Sequence, residues 1–361
     1  MVEETVAFID TSAILHNFQV VRSLAPRHAV MAMIKCNGYG HGALNCARTL
    51  IDSDAVGVST LAEAMELREA NIASRIILMS GFHNAEELLC LSQNQIEAVV
   101  HAVYQIELLE NTTLSQPLKI WLKIDTGMNR LGIPLAQAKE VYQRLQKCHA
   151  VVKPIHLLTH LARADEVSHV ATDNQVKHFS SIVGEWNEGA RSIANSAAIL
   201  GHPTTLAASD WVRPGIMLYG VSPFEGRTGQ LEGLKVVMTL CSHLVAVHDL
   251  TKGEAVGYGA TWTCPEAMRV GVVRVGYGDG YPRGLPSGTP ILIGKKRVSL
   301  IGRVSMDMIT VDLRNQPNAK VGDEVILWGE NLPIEEIAGC AKVSPYELLC
   351  GVSSRVPRKI Q

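Results

Sequence analysis

A lysine stands at the boundary between an apolar run and a glycine-rich segment near the start of the chain. The run Val30-Met31-Ala32-Met33-Ile34 leads to Lys35, and Gly38-Tyr39-Gly40-His41-Gly42 follows shortly afterwards. A lysine in this place either extends its amine to solvent or is held at the rim of a site for its chemistry. Because desolvation lowers the pKa of an amine, the second interpretation predicts a nucleophile that forms Schiff bases with carbonyl groups.

Side chains of reactive types also occupy the ends of four later apolar runs. They are Lys123, Arg130, His160, Ser196 and Arg213. One such residue alone is more often structural. Reactive residues at the ends of several successive strands predict a common site. A phosphate at this site would be held by Tyr39, Ser196 and the amides of Gly215-Ile216.

A regular alternation of strand and helix patterns must position these side chains. Eight short apolar runs are typical of parallel strands buried on both faces: 28–35, 55–59, 75–80, 96–101, 118–125, 152–161, 190–196 and 211–219. Amphipathic helix patterns lie between most of them, as at 61–70, 84–92, 134–147 and 174–186. This count favours an α/β fold with a (β/α)8 TIM-type barrel, and a doubly wound open sheet is the alternative.

The character of the sequence changes at residues 222–229, a polar stretch with glycines that is typical of a linker. Beyond it β patterns predominate, at 236–250, 268–277, 291–304, 309–313 and 324–328, before short helices near 334–341 and 346–350. We therefore predict a barrel domain over 1–233 and a mostly β C-terminal domain over 234–361. The first strand, at about 5–10, precedes the barrel, and the segment of about 1–10 is a candidate for packing with the C-terminal domain.

The composition limits the classes of function. The 361 residues carry a formal net charge of −2, which gives no electrostatic argument for nucleic acid or an anionic membrane as a partner. No apolar run reaches the roughly 18 residues of a membrane span, and Met1-Val2-Glu3-Glu4 lacks the basic region of a secretory signal. The eight cysteines are scattered, so neither disulfides nor a metal site is expected, and we expect the chain in the cytoplasm.

Taken together, these motifs resemble those of the alanine racemases, fold-type III enzymes that depend on pyridoxal 5'-phosphate. The matching segments extend over nearly the whole chain: 34–42, 123–132, 159–162, 194–196, 213–216, 257–262, 276–281, 302–307 and 355–358. Two positions depart from the usual family pattern. Cys36 stands where alanine is more usual, and Ser192 stands where many relatives carry histidine.

The resemblance implies an isomerase that interconverts L-alanine and D-alanine with two acid/base groups. Lys35 would hold the cofactor through a Schiff base and then act as one base, and Tyr258 from the β domain of a partner subunit would act as the other. Racemisation needs both, because one group removes the α-proton from one face and the other returns a proton to the opposite face. The resemblance thus implies a homodimer with shared sites, which would supply D-alanine for peptidoglycan and the cell wall.

The resemblance also implies that the remaining matched residues bind the cofactor or the substrate or support the site. Besides Lys35, the implied cofactor-binding residues are Tyr39, His160, Ser196, Arg213, Gly215, Ile216 and Tyr346. The implied substrate-binding residues are Arg130 and Met306, and the residues of support or of the access corridor are Lys123, Asp165, Tyr277, Arg303 and Asp307. Lys123 is carbamylated in several family members and we predict the same here, with an ordinary lysine paired to an acid as the alternative.

Four other roles stay open from the sequence alone. A single-barrel pyridoxal-phosphate carrier would lack the β domain with Tyr258. A decarboxylase of the same two-domain architecture would place an acid, and not Arg213, at the pyridine nitrogen. A broad-spectrum amino-acid racemase would differ in the width of its corridor, and a structural or interaction protein fits the polar rim poorly.

Overall fold

The computed structural model describes residues 4–183 and 188–361. Its strands are β1 (Val6–Ile9), β2 (Ala29–Met33), β3 (Ala55–Val58), β4 (Ile76–Leu78), β5 (Ile96–Val100), β6 (Ile120–Asp125), β7 (Ile133–Pro134), β8 (His156–Leu158), β9 (Arg191–Asn195), β10 (Trp211–Arg213), β11 (Met238–Leu250), β12 (Ala255–Val256), β13 (Trp262–Thr263), β14 (Met268–Val273), β15 (Pro290–Ile293), β16 (Lys296–Ile301), β17 (Ile309–Asp312), β18 (Glu324–Trp328) and β19 (Arg358–Ile360).

The helices lie mainly between the strands of the first two thirds of the chain. They are α1 (Thr11–Leu24), α2 (Lys35–Tyr39), α3 (Ala43–Thr49), α4 (Leu61–Glu69), α5 (Ala85–Gln93), α6 (Val103–Asn111), α7 (Ala138–Lys147), α8 (Ala171–Val183), α9 (Ser196–Gly201), α10 (Pro203–Ala207), α11 (Ile334–Ala341) and α12 (Pro345–Gly351). Of the helix predicted at 174–186, residues 184–186 lie outside the described residues.

Eight parallel strands form the closed (β/α)8 barrel that the sequence predicts. Their order around the ring is β5-β4-β3-β2-β10-β9-β8-β6, and pairing of β5 with β6 closes it. The strands are short and apolar, and β3, β4 and β5 are buried along their whole length, as barrel strands covered by helices must be. The open-sheet alternative is therefore wrong.

Two of the predicted runs are strand over only part of their length. The run at 152–161 contains β8 alone, and the run at 211–219 is strand only through β10. Pro214 lacks an amide hydrogen and so donates no hydrogen bond to the sheet, although its carbonyl still accepts from the Met33 amide at 2.9 Å. After it, Ile216–Tyr219 forms a 3-10 turn in which the Leu218 amide donates to the Gly215 carbonyl at 2.9 Å.

The stretch predicted as a linker, 222–229, is packed against the rest of the molecule. The Glu335 carboxylate on α11 accepts hydrogen bonds from the amides of Ser222, at 3.0 Å, and Gly229, at 2.8 Å. Phe224 within the stretch is buried. The polar stretch 222–229 is therefore a turn held by the Glu335 carboxylate and not a flexible linker.

The second half of the chain forms a largely antiparallel sheet in the order β14-β17-β16-β15-β18-β11-β1-β19. Strand β1 lies between β11, which it meets antiparallel, and β19, which it meets parallel. The first strand of the chain therefore belongs by pairing to the second sheet. The domain boundary at 233/234 stays a prediction. Among the described residues, no helix has both the length and the apolar character needed to cross a membrane.

Candidate active site

The carboxyl ends of the barrel strands surround a pocket of about 490 Å³. Many of the side chains predicted from the sequence line it, although they lie far apart in the chain. The predicted residues in this mouth pocket are Lys35, Tyr39, Lys123, Arg130, His160, Asp165, Ser196, Arg213, Gly215, Ile216 and Tyr346. The barrel, with Tyr346 added from α12, therefore brings together the predicted cofactor-binding residues and one of the two predicted bases.

Lys35 enters the pocket from a turn with unusual backbone geometry. Cys36, Asn37 and Tyr39 all have φ near +52°, and Gly38 has φ of 61°. This left-handed conformation is costly for residues with a side chain, so contacts must hold it. Asn37 supplies one of these contacts, since its Oδ1 accepts from the Ala43 amide at 2.9 Å. Burial, with the charge of Arg130 added, lowers the pKa of the Lys35 amine.

A carboxylate that the sequence analysis did not single out also holds this turn. Glu63 Oε1 accepts from the Cys36 amide at 2.5 Å and from the Asn37 amide at 3.4 Å. The sequence signal for Glu63 is the spacing Thr60-x-x-Glu63, which predicts a helix cap. That spacing does not reveal a contact with a turn 27 residues earlier in the chain.

Arg213 is buried, and its guanidinium is fixed by several acceptors. It donates to Ser192 Oγ and to the Thr159 carbonyl, both at 2.6 Å, and to the Ile193 carbonyl at 3.2 Å. Ser192, which departs from the usual family pattern, thus still contacts this arginine. His160 Nδ1 lies 3.4 Å from the guanidinium. Burial and the charge of Arg213 hold the pKa of His160 well below its usual range, so the imidazole is neutral.

Small and hydroxyl-bearing residues form a cradle on the other side of the pocket. Ser196 Oγ accepts from the Gly215 amide at 2.8 Å. A Cβ on Gly215 would lie 2.5 Å from Tyr39 Oη, so a larger residue requires Tyr39 to move. Burial raises the pKa of Tyr39, which keeps its phenol protonated as a hydrogen-bond donor. Amide and hydroxyl donors around such a cradle suit an anion of the size of a phosphate group.

Lys123 is a second buried amine, on strand β6. Burial, with Arg213 and Arg130 close by, lowers its pKa to about 8. Its nearest carboxylate in sequence, Asp125, is engaged elsewhere, since Oδ1 accepts from the amides of Gly127, Met128 and Asn129 at 2.9, 3.0 and 3.1 Å. No ion pair between Lys123 and an acid occurs within residues 4–183 and 188–361.

The other predicted site residues lie outside the mouth pocket, on loops of the C-terminal β region. These are Tyr258, Tyr277, Arg303, Met306 and Asp307. The loops contact one another: the Tyr277 amide donates to the Ser305 carbonyl at 3.0 Å, and a Cβ on Gly259 would lie 3.4 Å from the Arg303 guanidinium. Tyr258 is 72% exposed and Met306 is 53% exposed. We call these five residues the loop group.

Comparison with known proteins follows the same division of the chain. A family model described as alanine racemase, N-terminal domain, matches residues 9–223, and one described as alanine racemase, C-terminal domain, matches residues 237–360. The alanine racemase of Nitrosococcus oceani is 50% identical over 355 residues, which cover 98% of this chain and 99% of that protein.

Solved structures agree with this family. The biosynthetic alanine racemase from Pseudomonas aeruginosa superposes with a TM-score of 0.95 at 41% identity and covers 99% of both chains. The alanine racemase from Bartonella henselae, with covalently bound pyridoxal phosphate, gives a TM-score of 0.89 at 26% identity, with 99% of this chain and 100% of that chain covered.

Proposed function

The chain belongs to the alanine racemase family and is an isomerase of that type, and we propose that it holds pyridoxal 5'-phosphate at the barrel mouth and uses Lys35 and Tyr258 as its two bases. One observation carries this proposal. The amine of Lys35, with its lowered pKa, and the cradle of Ser196, Gly215 and Tyr39 line the same pocket.

The donors of the pocket fit the cofactor. Ser196, Tyr39, Tyr346 and the backbone at Gly215-Ile216 would hold its phosphate, and Lys35 would hold its aldehyde carbon. When bound, pyridoxal phosphate acts as an electron sink that makes the α-proton of an attached amino acid removable. Arg213 would face the pyridine nitrogen, and because an arginine keeps its own proton, it leaves that nitrogen unprotonated and limits side reactions.

Two residues on opposite faces of the substrate would move its α-proton. Lys35, with its lowered pKa, is suited to take and return a proton on one face of the substrate. A phenol has an ordinary pKa of about 10, so Tyr258 needs support to act as a base, and the neutral His160 would supply it. Arg130 and the Met306 amide would bind the alanine carboxylate.

The position of Tyr258 supports a shared site. Tyr258 and the rest of the loop group are exposed on the C-terminal β region and lie outside the pocket formed by their own chain. A second copy of the chain would bring its loop group to this mouth pocket, which makes the homodimer the active form. A cytoplasmic enzyme of this kind would supply D-alanine for peptidoglycan.

The test is α-proton exchange from each alanine enantiomer in heavy water, followed by NMR, for the wild type and Tyr258→Phe with pyridoxal phosphate. The wild type should exchange and racemise both enantiomers. Tyr258→Phe should lose exchange from L-alanine by a factor of about 100 or more, since general bases contribute that much. Tyr104→Phe, which removes a phenol on α6 that contacts His83, is the control and should match the wild type.

Two outcomes would reject the proposal. A wild type that binds the cofactor and leaves alanine unexchanged would favour the carrier. Release of carbon dioxide from an amino acid would favour the decarboxylase. Equal exchange in Tyr258→Phe and the wild type would keep the racemase but remove Tyr258 as a base.

A further inference from the structure

Three consecutive barrel helices carry an acceptor side chain at their third residue, and two of them provide internal references for Glu63. The third residue is Glu63 in α4, Glu87 in α5 and Gln105 in α6. Each accepts from the backbone just before its helix: Glu63 Oε2 from Ser59 at 2.8 Å, Glu87 Oε2 from His83 at 2.8 Å and Gln105 Oε1 from His101 at 2.7 Å. The oxygen of a glutamine is therefore enough for this cap.

Glu63 differs from these references because its second oxygen bonds outside its own helix. Glu63 Oε1 accepts from the amides of Cys36 and Asn37, at 2.5 and 3.4 Å. Both amides belong to the left-handed turn that begins at Lys35. A carboxylate is a stronger acceptor than a neutral oxygen, and two donors on one oxygen define the position of the turn. One side chain thus fixes the start of α4 and the lysine turn together.

The charge of Glu63 also acts on the amine of Lys35. Burial and the charge of Arg130 lower the pKa of this amine, whereas Cys350, Cys36 and Glu63 raise it. The amine of Lys35 in turn acts on Lys123 and on the neutral His160. Among the groups that raise the pKa of Lys35, Glu63 is the carboxylate. Its replacement by a neutral residue should therefore lower that pKa further.

We propose that Glu63 is a positioning residue for Lys35, with one carboxylate oxygen for the helix cap and the other for the turn that aims the amine into the mouth pocket. This inference rests on the proposed function of Lys35 as cofactor anchor and base. It assigns to Glu63 no contact with substrate or cofactor.

The experiment compares Glu63→Gln with Glu87→Gln in the full chain. A glutamine at 63 keeps one oxygen for the cap but turns an NH2 group toward two N–H donors. Two quantities are measured: the pH midpoint of Lys35 acylation by acetic anhydride before pyridoxal phosphate is added, from peptide mass spectrometry, and the dissociation constant of pyridoxal phosphate, from its absorbance. Thermal unfolding of both variants checks that each has folded.

For Glu63→Gln we expect the midpoint of Lys35 acylation at lower pH and at least tenfold weaker binding of pyridoxal phosphate. Glu87→Gln should match the wild type in both quantities. Glu63→Asp keeps the charge but lacks the reach, so its midpoint should stay nearer to that of the wild type while its cofactor binding weakens. A wild-type value of either quantity in Glu63→Gln, or equal changes in Glu87→Gln, would overturn the inference. Failure of the wild type to racemise alanine would reject the proposed function and leave the acylation result interpretable.

Discussion

The barrel mouth gathers cationic side chains, and single residues decide how their charges are balanced. Arg130 and Arg213 both act on Lys123, whose amine is buried and has a pKa lowered to about 8. An unpaired buried cation is costly, and conversion of its amine to an anion removes that cost. This geometry supports the carbamylation of Lys123 over the alternative of a lysine paired with an acid.

Carbamylation of Lys123 makes a testable prediction about pH. Carbon dioxide reacts with the neutral amine, so the carbamate should form readily near and above pH 8 and be lost as pH falls below that value. Carbon-13 NMR after addition of labelled bicarbonate should show one carbamate signal. Lys123→Gln should abolish it, and the control Lys119→Gln, an exposed residue just outside β6, should retain it. A signal that survives in Lys123→Gln would contradict the prediction.

At this scale the sequence identifies the residues whose chemistry is visible in their type and misses contacts between residues that are distant in sequence. Lys35, Lys123 and Arg213 were recognisable because each is a cation that interrupts or follows an apolar strand. The contacts of Glu63 and Ser192 were not recognisable, since a helix-cap glutamate and a small strand residue are common everywhere. Only the folded chain brings them to the turn of Lys35 and to the guanidinium.

At the scale of elements, the barrel strands follow from runs of apolar residues, but the ends of the strands do not. Strand β10 stops where Pro214 removes a donor, and the next residue begins the cradle that faces Tyr39. The sequence does not predict the left-handed turn after β2, because cysteine and tyrosine rarely take positive φ and a single asparagine does not predict several such residues in succession. Contacts distant in sequence impose that conformation, and local preference gives no sign of it.

The cradle predicts a specific effect of Gly215→Ala. The new Cβ would lie 2.5 Å from Tyr39 Oη and 3.1 Å from Tyr39 Cζ, so the tyrosine must move. We expect at least tenfold weaker binding of pyridoxal phosphate, about 1.4 kcal/mol, in an absorbance titration. Tyr39→Phe in addition should restore part of the packing.

The control for that substitution is Gly284→Ala, where an added Cβ meets nothing within 4 Å and φ is not positive. Its cofactor affinity should equal that of the wild type. Normal affinity in Gly215→Ala would show that the cradle tolerates movement of Tyr39 and would argue against a phosphate held there.

At the scale of the whole molecule, the order of barrel followed by β sheet was predictable and the sharing of strands between the two was not settled by the sequence. Strand β1 precedes the barrel but pairs in the second sheet, because its register with β11 and β19 depends on residues at the other end of the chain. In the proposed shared site, the exposed loop group of one chain would complete the mouth pocket of another.

A shared site predicts complementation between two inactive variants. Lys35→Ala and Tyr258→Phe should each lose racemisation, but a mixed dimer contains one site with both bases intact. After equal mixing and exchange of subunits, half of the dimers are mixed and each has one working site of two, so activity should return to about a quarter of that of the wild type. Persistent inactivity of a mixture shown to exchange subunits would mean that both bases come from one chain.

The position of β1 also affects how the molecule can be made. This strand is synthesised before the other described strands, yet its parallel partner β19 lies roughly 350 residues later, where Thr11 and Gln361 are joined by a hydrogen bond. All eight barrel strands are synthesised before β11 or β19 exists, so β1 first waits with both edges open, and it keeps one open edge after β11 has been made. Closure of the second sheet is therefore a late event of biosynthesis, and a nascent chain stalled before β19 should be a client for chaperones that bind exposed strand edges.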